Sequence, residues 1–213
     1  MIYEVRTYVL TPESVPEFEG NFAKSLPHRE KYSPLAAFWH TEIGPLNQII
    51  HVWGYENLEE RERIRAEAIK DPDWPPKLDG NVLNMNSEIW NPAPFMRPLG
   101  GDQALGGIYE MRIYEAIPGK LPALNERFAN ITMGYFEKYD IKVVGFWTDE
   151  IGTSNRLTYI LAFEDAGQRE RAWANFRADQ ERAAAFAETE REGPLVAKVI
   201  NTIMRPTGYS PMQ

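Results

Sequence analysis

Few residue types in this chain can do chemistry. Cysteine is absent, and histidine occurs three times, as His28, His40 and His51. Disulfides, zinc–thiolate sites and thiol nucleophiles are therefore excluded. His51 begins "HVWGYE", where strand alternation puts Ile49, His51, Trp53 and Tyr55 on one face. An unperturbed imidazole titrates near neutrality, so His51 is the candidate for moving a proton. The stretch "IYEVRTY", Ile2 to Tyr8, groups Glu4, Arg6 and Tyr8 on one face. Tyr3, Val5, Thr7 and Val9 form the other, suited to packing under helices. Arg6 is the candidate for holding an anion, and Trp53 for lining an apolar pocket between sheet and helices. Glu4, Tyr8 and His40 complete the candidate substrate-binding set. The plainer alternative is a satisfied structural histidine at 51 and a structural Glu4–Arg6 pair, inside the fold or along a seam between sheets, because a buried unpaired charge is costly.

Other chemistries lack their parts. No glycine-rich phosphate loop follows a strand and opens a helix, and no Gly-x-Ser-x-Gly elbow occurs. No two histidines have metal-ligand spacing on a helix, so no metal site and no cofactor is expected. The net charge of −8, with no basic cluster, speaks against nucleic acid. No apolar run reaches the roughly 18 residues of a membrane span, and no secretory signal is read at the N-terminus. A cytoplasmic location is the expectation. A small-molecule ligand, a partner protein and a homo-oligomer are the partners left open.

The strand that carries Glu4 and Arg6 recurs. "IYEMRIY", Ile108 to Tyr114, repeats it 106 residues later and aligns Glu110 with Glu4 and Arg112 with Arg6. After a two-residue insertion, "FWHTEIGPLN" from Phe38 matches "FWTDEIGTSN" from Phe146. A period this long is that of a small domain, so the chain is a duplicated domain. The expected units are residues 1–98 and 107–213, with a linker over 99–106 inside a Pro/Gly-rich stretch that begins at Asn91.

Each unit reads β-α-β-β-α-β. Ser14-x-x-Glu17 looks like a capping box, with Pro16 in the first turn. Val15, Phe18, Phe22 and Leu26 then fall at helical spacing, and Pro27 is expected to end or kink that helix. In the second unit the stripe is Leu121, Leu124, Phe128, Ile131 and Tyr135. Asn57-x-x-Glu60 and Asp165-x-x-Gln168 are matching starts for the second helix of each unit. Glu59 to Arg63 reads as a solvated helix face. A four-stranded sheet with helices on one face leaves the other face bare, and two copies solve that together. The expected fold is therefore α+β: two ferredoxin-like repeats whose sheets pack or close into a shared α/β-barrel with helices outside. Trp39 and Trp147 recur at matching positions and read as core.

The segments "YEVRTYVLTPESVPEF" and "FWHTEIGPLNQIIHVWGYENLEERERIRAEAIKDPDW" resemble the NIPSNAP family. The second copy is similar but degraded: His51 becomes Tyr159, Trp53 becomes Leu161, and "DPDW" is lost. The resemblance implies the dimeric α/β-barrel superfamily, with both halves here in one chain. It brings no agreed catalytic residues. Animal members are associated with mitochondria, whereas a free-standing tandem looks more like a bacterial cytoplasmic member. Fold relatives include cofactor-free monooxygenases and isomerases, so an enzyme acting on a small hydrophobic metabolite is the alternative to a binder, and a non-catalytic scaffold is the third reading. Any pocket is expected mainly in the first copy, which holds every histidine.

Overall fold

A computed structural model describes residues 1–77, 80–93, 95–96 and 105–212. The first half runs β1 (Ile2–Leu10), α1 (Val15–Glu30), β2 (Leu35–Ile43), β3 (Gln48–Tyr55), α2 (Leu58–Ala68) and β4 (Val82–Pro92). The second half runs β5 (Ile108–Ala116), α3 (Leu121–Arg127), a π turn (Phe128–Thr132), α4 (Met133–Lys138), β6 (Lys142–Ile151), β7 (Arg156–Phe163), α5 (Ala166–Ala178), α6 (Gln180–Thr189) and β8 (Val196–Pro206). Asn91 and Pro92, expected to open the linker, instead close β4. Residues 99–104 of the linker lie outside the described residues.

All eight strands pair antiparallel in one closed barrel, in the order β1-β3-β2-β8-β5-β7-β6-β4. The halves join through β2–β8, where Trp39 faces Pro206, and through β4–β6, where Trp90 faces Asp149. Closure explains the duplication. One half alone has two free sheet edges, and two halves remove them.

The barrel interior is filled by Tyr3, Val5, Trp39, Ile50 and Trp90 from the first half and by Tyr109, Met111, Trp147, Ile160 and Met204 from the second. This inverts the expected faces of β1. Tyr3 and Val5 point into the barrel, and Glu4, Arg6 and Tyr8 point outward beneath the helices. The charges therefore lie between wall and helix, not at a sheet–sheet seam. Alternation separates two faces but does not say which layer each one meets. Here α2 supplies the guanidinium groups that pair Glu4, so the charged face turns toward that helix.

Two helix expectations also change. Ser14 precedes α1 but makes no side-chain cap; its hydroxyl donates to the Thr11 carbonyl at 2.6 Å. The helix continues through Pro27 to Glu30, because Phe18, Phe22, Leu26 and Arg29 are all buried along it. Packing of that stripe outweighs the lost backbone bond. Asn57 and Asp165 do cap α2 and α5, accepting from the Glu60 and Gln168 amides. In the second half the π turn takes up an extra residue and moves the buried stripe onto Leu124, Phe128, Thr132 and Phe136.

Candidate functional site

Glu4 is fully buried on the outer face of β1, and its carboxylate is crowded with donors. It accepts from Arg6 Nη1 at 2.9 Å, Arg61 Nη2 at 2.7 Å and Ser87 Oγ at 2.8 Å. Arg65 Nη1 reaches both carboxylate oxygens at 3.3 Å. Burial pushes this carboxyl upward, but Arg61, Arg65 and Arg6 overcome it and hold the pKa at about 2. Arg61 and Arg65 lie one turn apart on α2, so a single helix face delivers both. Arg61 thus leaves the solvated face expected for residues 59–63.

Arg29 stands beside this group. It donates to Ser33 Oγ and Tyr55 OH, each at 2.8 Å, and lies 4.4 Å over the Trp53 ring. Among the described residues no carboxylate pairs with it. Its pKa is lowered, by burial first and by the nearby Arg65 charge. Three guanidinium groups, those of Arg6, Arg61 and Arg65, therefore share the single carboxylate of Glu4, and a fourth, that of Arg29, stands beside them without a carboxylate of its own among the described residues.

His51 faces Arg6 across the β1–β3 ladder. It is 2% exposed and packed among Tyr8, Phe22, Phe38 and Trp53. The Trp53 indole N–H donates to His51 Nδ1 at 2.7 Å. An indole can only donate, so Nδ1 is the bare nitrogen and Nε2 carries the proton. That Nε2–H has no partner among the described residues. Burial, with Arg6 next, lowers the pKa to about 3. The ring is then neutral at pH 7 and has no free lone pair for a proton or a metal. At neutral pH the ring therefore presents an N–H donor to the cavity.

These groups border a partly open cavity of about 470 Å³ between β1, β3, β4, α1, α2 and the segment after α2. Arg6, Tyr8, Arg29, His51 and Arg65 supply its polar wall. Phe22, Trp53, Trp74, Ala68, Ile69 and Met85 supply its apolar wall. The size is that of a small-molecule site. Of the residues expected to bind a ligand, Trp53 and Tyr8 line the cavity with Arg6 and His51. Glu4 lies behind the wall and positions the arginines. His40 is elsewhere, bonded through Nδ1 to Glu19 at 2.7 Å. The sequence reading missed Arg29, Arg65, Phe22, Trp74 and Met85. Arg29 had a signal: it continues the apolar stripe of α1 at helical spacing.

The matching place in the second half is almost solid, with a residual void of about 30 Å³. Arg112 Nη1 donates to Glu110 and its Nε to Tyr159 OH, at 2.9 and 2.8 Å. Arg169 and the Trp173 indole complete Glu110. Phe136, Tyr159, Trp173 and Phe176 fill the space.

A separate group could attract a cation. His28, Asp71 and Asp73 bring ligand atoms within 4.8 Å of one another. The Lys31 ammonium already lies 3.1 Å from Asp71 and supplies positive charge there.

The chain is similar to known proteins along its whole length. It is 28% identical over 223 residues to protein NipSnap homolog 3A of Homo sapiens, covering 100% of this chain and 86% of that protein. It is 27% identical over 218 residues to NipSnap homolog 3B of Mus musculus, covering 99% and 85%. An anthrone oxidase-like protein of solved structure superposes with a TM-score of 0.56 at 11% identity, over 100% of this chain and 94% of that one, which shows a shared fold alone. No described helix is long and apolar enough to cross a membrane. The NIPSNAP family model matches twice, over residues 3–97 and 109–211, in register with the two halves of the barrel, and the chain belongs to the NIPSNAP family.

Proposed function

We propose that this protein binds a small, largely apolar molecule in the cavity of its first half, residues 1–98. One observation carries this reading. The same fold unit occurs twice, and only the first copy keeps about 470 Å³ open where the second is packed to about 30 Å³. Open apolar volume costs stability, so a cavity that packing could have closed is a feature with a use. Tyr8 and Trp53 line it, Arg6 and Arg65 give it a charged wall, and Glu4 sets the arginines. A reducing, cytoplasmic setting fits a chain without cysteine and belongs to the same proposal.

The test is a thermal-shift screen of the full chain against a metabolite library, run beside Ala68→Phe. Ala68 lies on the cavity wall and matches Phe176, which fills the second half. A true ligand raises the melting temperature of the natural chain and not that of the variant. Equal shifts in both, or no shift from any compound, would count against the cavity.

A second reading makes the site catalytic, with His51 and Arg6 acting on the bound molecule. The fixed tautomer of His51 favours it. A neutral N–H donor beside a guanidinium stabilises charge that develops on an oxygen. Turnover of an identified ligand, lost in His51→Phe while binding persists, is the result this reading requires.

A further inference from the structure

We infer that the ligand of the first-half cavity is an apolar carboxylate, its head on Arg6, Arg65 and His51 and its body against Trp53, Trp74 and Phe22. This rests on the cavity being the binding site. The charge balance points to an anion. Arg6, Arg29, Arg61 and Arg65 bring four positive charges, and Glu4 returns one negative charge. Three of those arginines, Arg6, Arg29 and Arg65, are in the cavity wall. Clustered cations partly removed from water repel one another and favour an added anion.

The hydrogen bonds point the same way. Arg6 uses Nε on Tyr8 and Nη1 on Glu4, and Arg65 uses only Nη1, also on Glu4. The Nη2 groups of both are left with no protein acceptor among the described residues. His51 Nε2–H is a third donor without a partner among the described residues, and it is buried, where an unmet donor is costly. Arg6 and His51 are opposite each other in the ladder, so their donors belong to one neighbourhood. A group that satisfies all three must accept hydrogen bonds and carry negative charge, as a carboxylate does. The other wall has no such demand. Trp53, Trp74 and Phe22 offer ring edges and faces, and Ala68 and Ile69 offer hydrocarbon. A small fully polar anion would leave that surface dry and unfilled, so the head must carry an apolar body.

The test uses two probes of one shape, 2-naphthoate and its neutral counterpart 2-naphthylmethanol, titrated into the full chain by calorimetry or tryptophan fluorescence. Naphthoate is expected to bind about tenfold tighter or more, the value of one charge-assisted hydrogen bond. Arg65→Met is expected to reduce that advantage severalfold, weakening naphthoate more than the alcohol. Arg65 is partly exposed, and Glu4 keeps Arg6 and Arg61, so the variant should fold. Rising salt should weaken naphthoate alone. Equal binding of both probes, lost in Ala68→Phe, would overturn the carboxylate and leave the cavity reading standing. Naphthoate binding unchanged in Ala68→Phe would overturn both. Binding of neither probe to the natural chain would overturn the carboxylate class, with the cavity reading still judged by the library screen.

Discussion

Glu4 and Glu110 occupy matching places on matching strands, yet the two halves surround them differently. Each is fully buried and each accepts from the arginine two residues on. Around Glu4 the second helix presents Arg61 and Arg65; around Glu110 it presents Arg169 and Trp173. One ring therefore replaces one charge. On the same helices Ala68 is replaced by Phe176, and on the facing strands His51 by Tyr159. In the first helix of each half, Arg29 gives way to Phe136 as the last buried position of the stripe. These four changes move the same way, from charge and space to aromatic volume, although Trp53 itself becomes Leu161. Set beside the second half, the first half's excess of charge and space becomes visible.

The largest expected difference lies at the two glutamates. Glu4→Gln would leave three pairing arginines and the neighbouring Arg29 without a counter-charge. Glu110→Gln would strand only Arg112 and Arg169. Breaking a buried pair costs on the order of 3–5 kcal/mol, and Glu4 should stand at or above the upper end. Urea unfolding of both variants measures this. Equal costs would mean that the extra arginines of the first half are screened by water. Arg6→Met, by contrast, should cost less than a bare buried carboxylate would suggest, because Arg61, Arg65 and Ser87 remain on Glu4.

Next comes volume. Phe176→Ala should cost about 3 kcal/mol, the lower part of the range for a buried phenylalanine. It should also open in the second half a space like that of the first. The reverse exchange, Ala68→Phe, should change stability by less than about 1 kcal/mol, because the cavity can receive the ring. A loss as large as that of Phe176→Ala would show that the first cavity is already occupied by packing.

Much of this was readable beforehand, for definite reasons. The duplicated strand, the tandem βαββαβ order and the drift of His51 to Tyr159 are written in alternation and spacing. The asymmetry itself could have been read further, since Ala68 stands opposite Phe176 at the shift that aligns Phe38 with Phe146. Which face of β1 turns inward was not readable, because alternation is symmetric until a partner layer breaks it. Arg65 was hidden for a related reason. On α2 it looks like one more charge in a solvated helix, and only the buried Glu4 beneath it gives it a direction. The chemistry of His51 turned on a bond from a tryptophan two residues away, and spacing does not tell which nitrogen that indole will meet.

That bond gives a third, smaller difference, in acid. The folded state holds the His51 pKa near 3, below the 6.5 of an unperturbed ring. Between those values the unfolded state binds more protons, so stability is full above pH 6.5 and falls as pH drops. From pH 6.5 to 5 the loss is about 2 kcal/mol, at 1.36 kcal/mol per pH unit. Tyr159, whose pKa is pushed upward by burial, has no such dependence there. His51→Tyr, which copies the second half, should flatten the curve in this window. An unchanged slope would place the acid sensitivity on other groups. Glu4 adds its own loss lower down, from about pH 4.5 toward 2.

The smallest expected effect has the opposite sign and belongs to His40. This ring is half-buried and bonded to Glu19 at 2.7 Å, and the Glu19 bond raises its pKa. A histidine with a raised folded pKa contributes stability that is present below pH 6.5 and lost as pH rises through the folded value. Burial and the Arg205 charge oppose the shift, and Glu42 adds to it. Thr148 and Asn125 stand at the corresponding places in the second half, so no titrating pair exists there. A partly exposed pair of this kind contributes less than about 1 kcal/mol. Melting temperatures measured from pH 6.5 to 9 should therefore fall slightly in the natural chain and stay level in both His40→Thr and Glu19→Gln. The two histidines would then bracket a stability maximum near neutrality, one failing toward acid and one toward base, with both titrations confined to the first half. A decline toward pH 9 that persists in both variants would remove His40 from that account and leave the acid side alone as the difference between the halves.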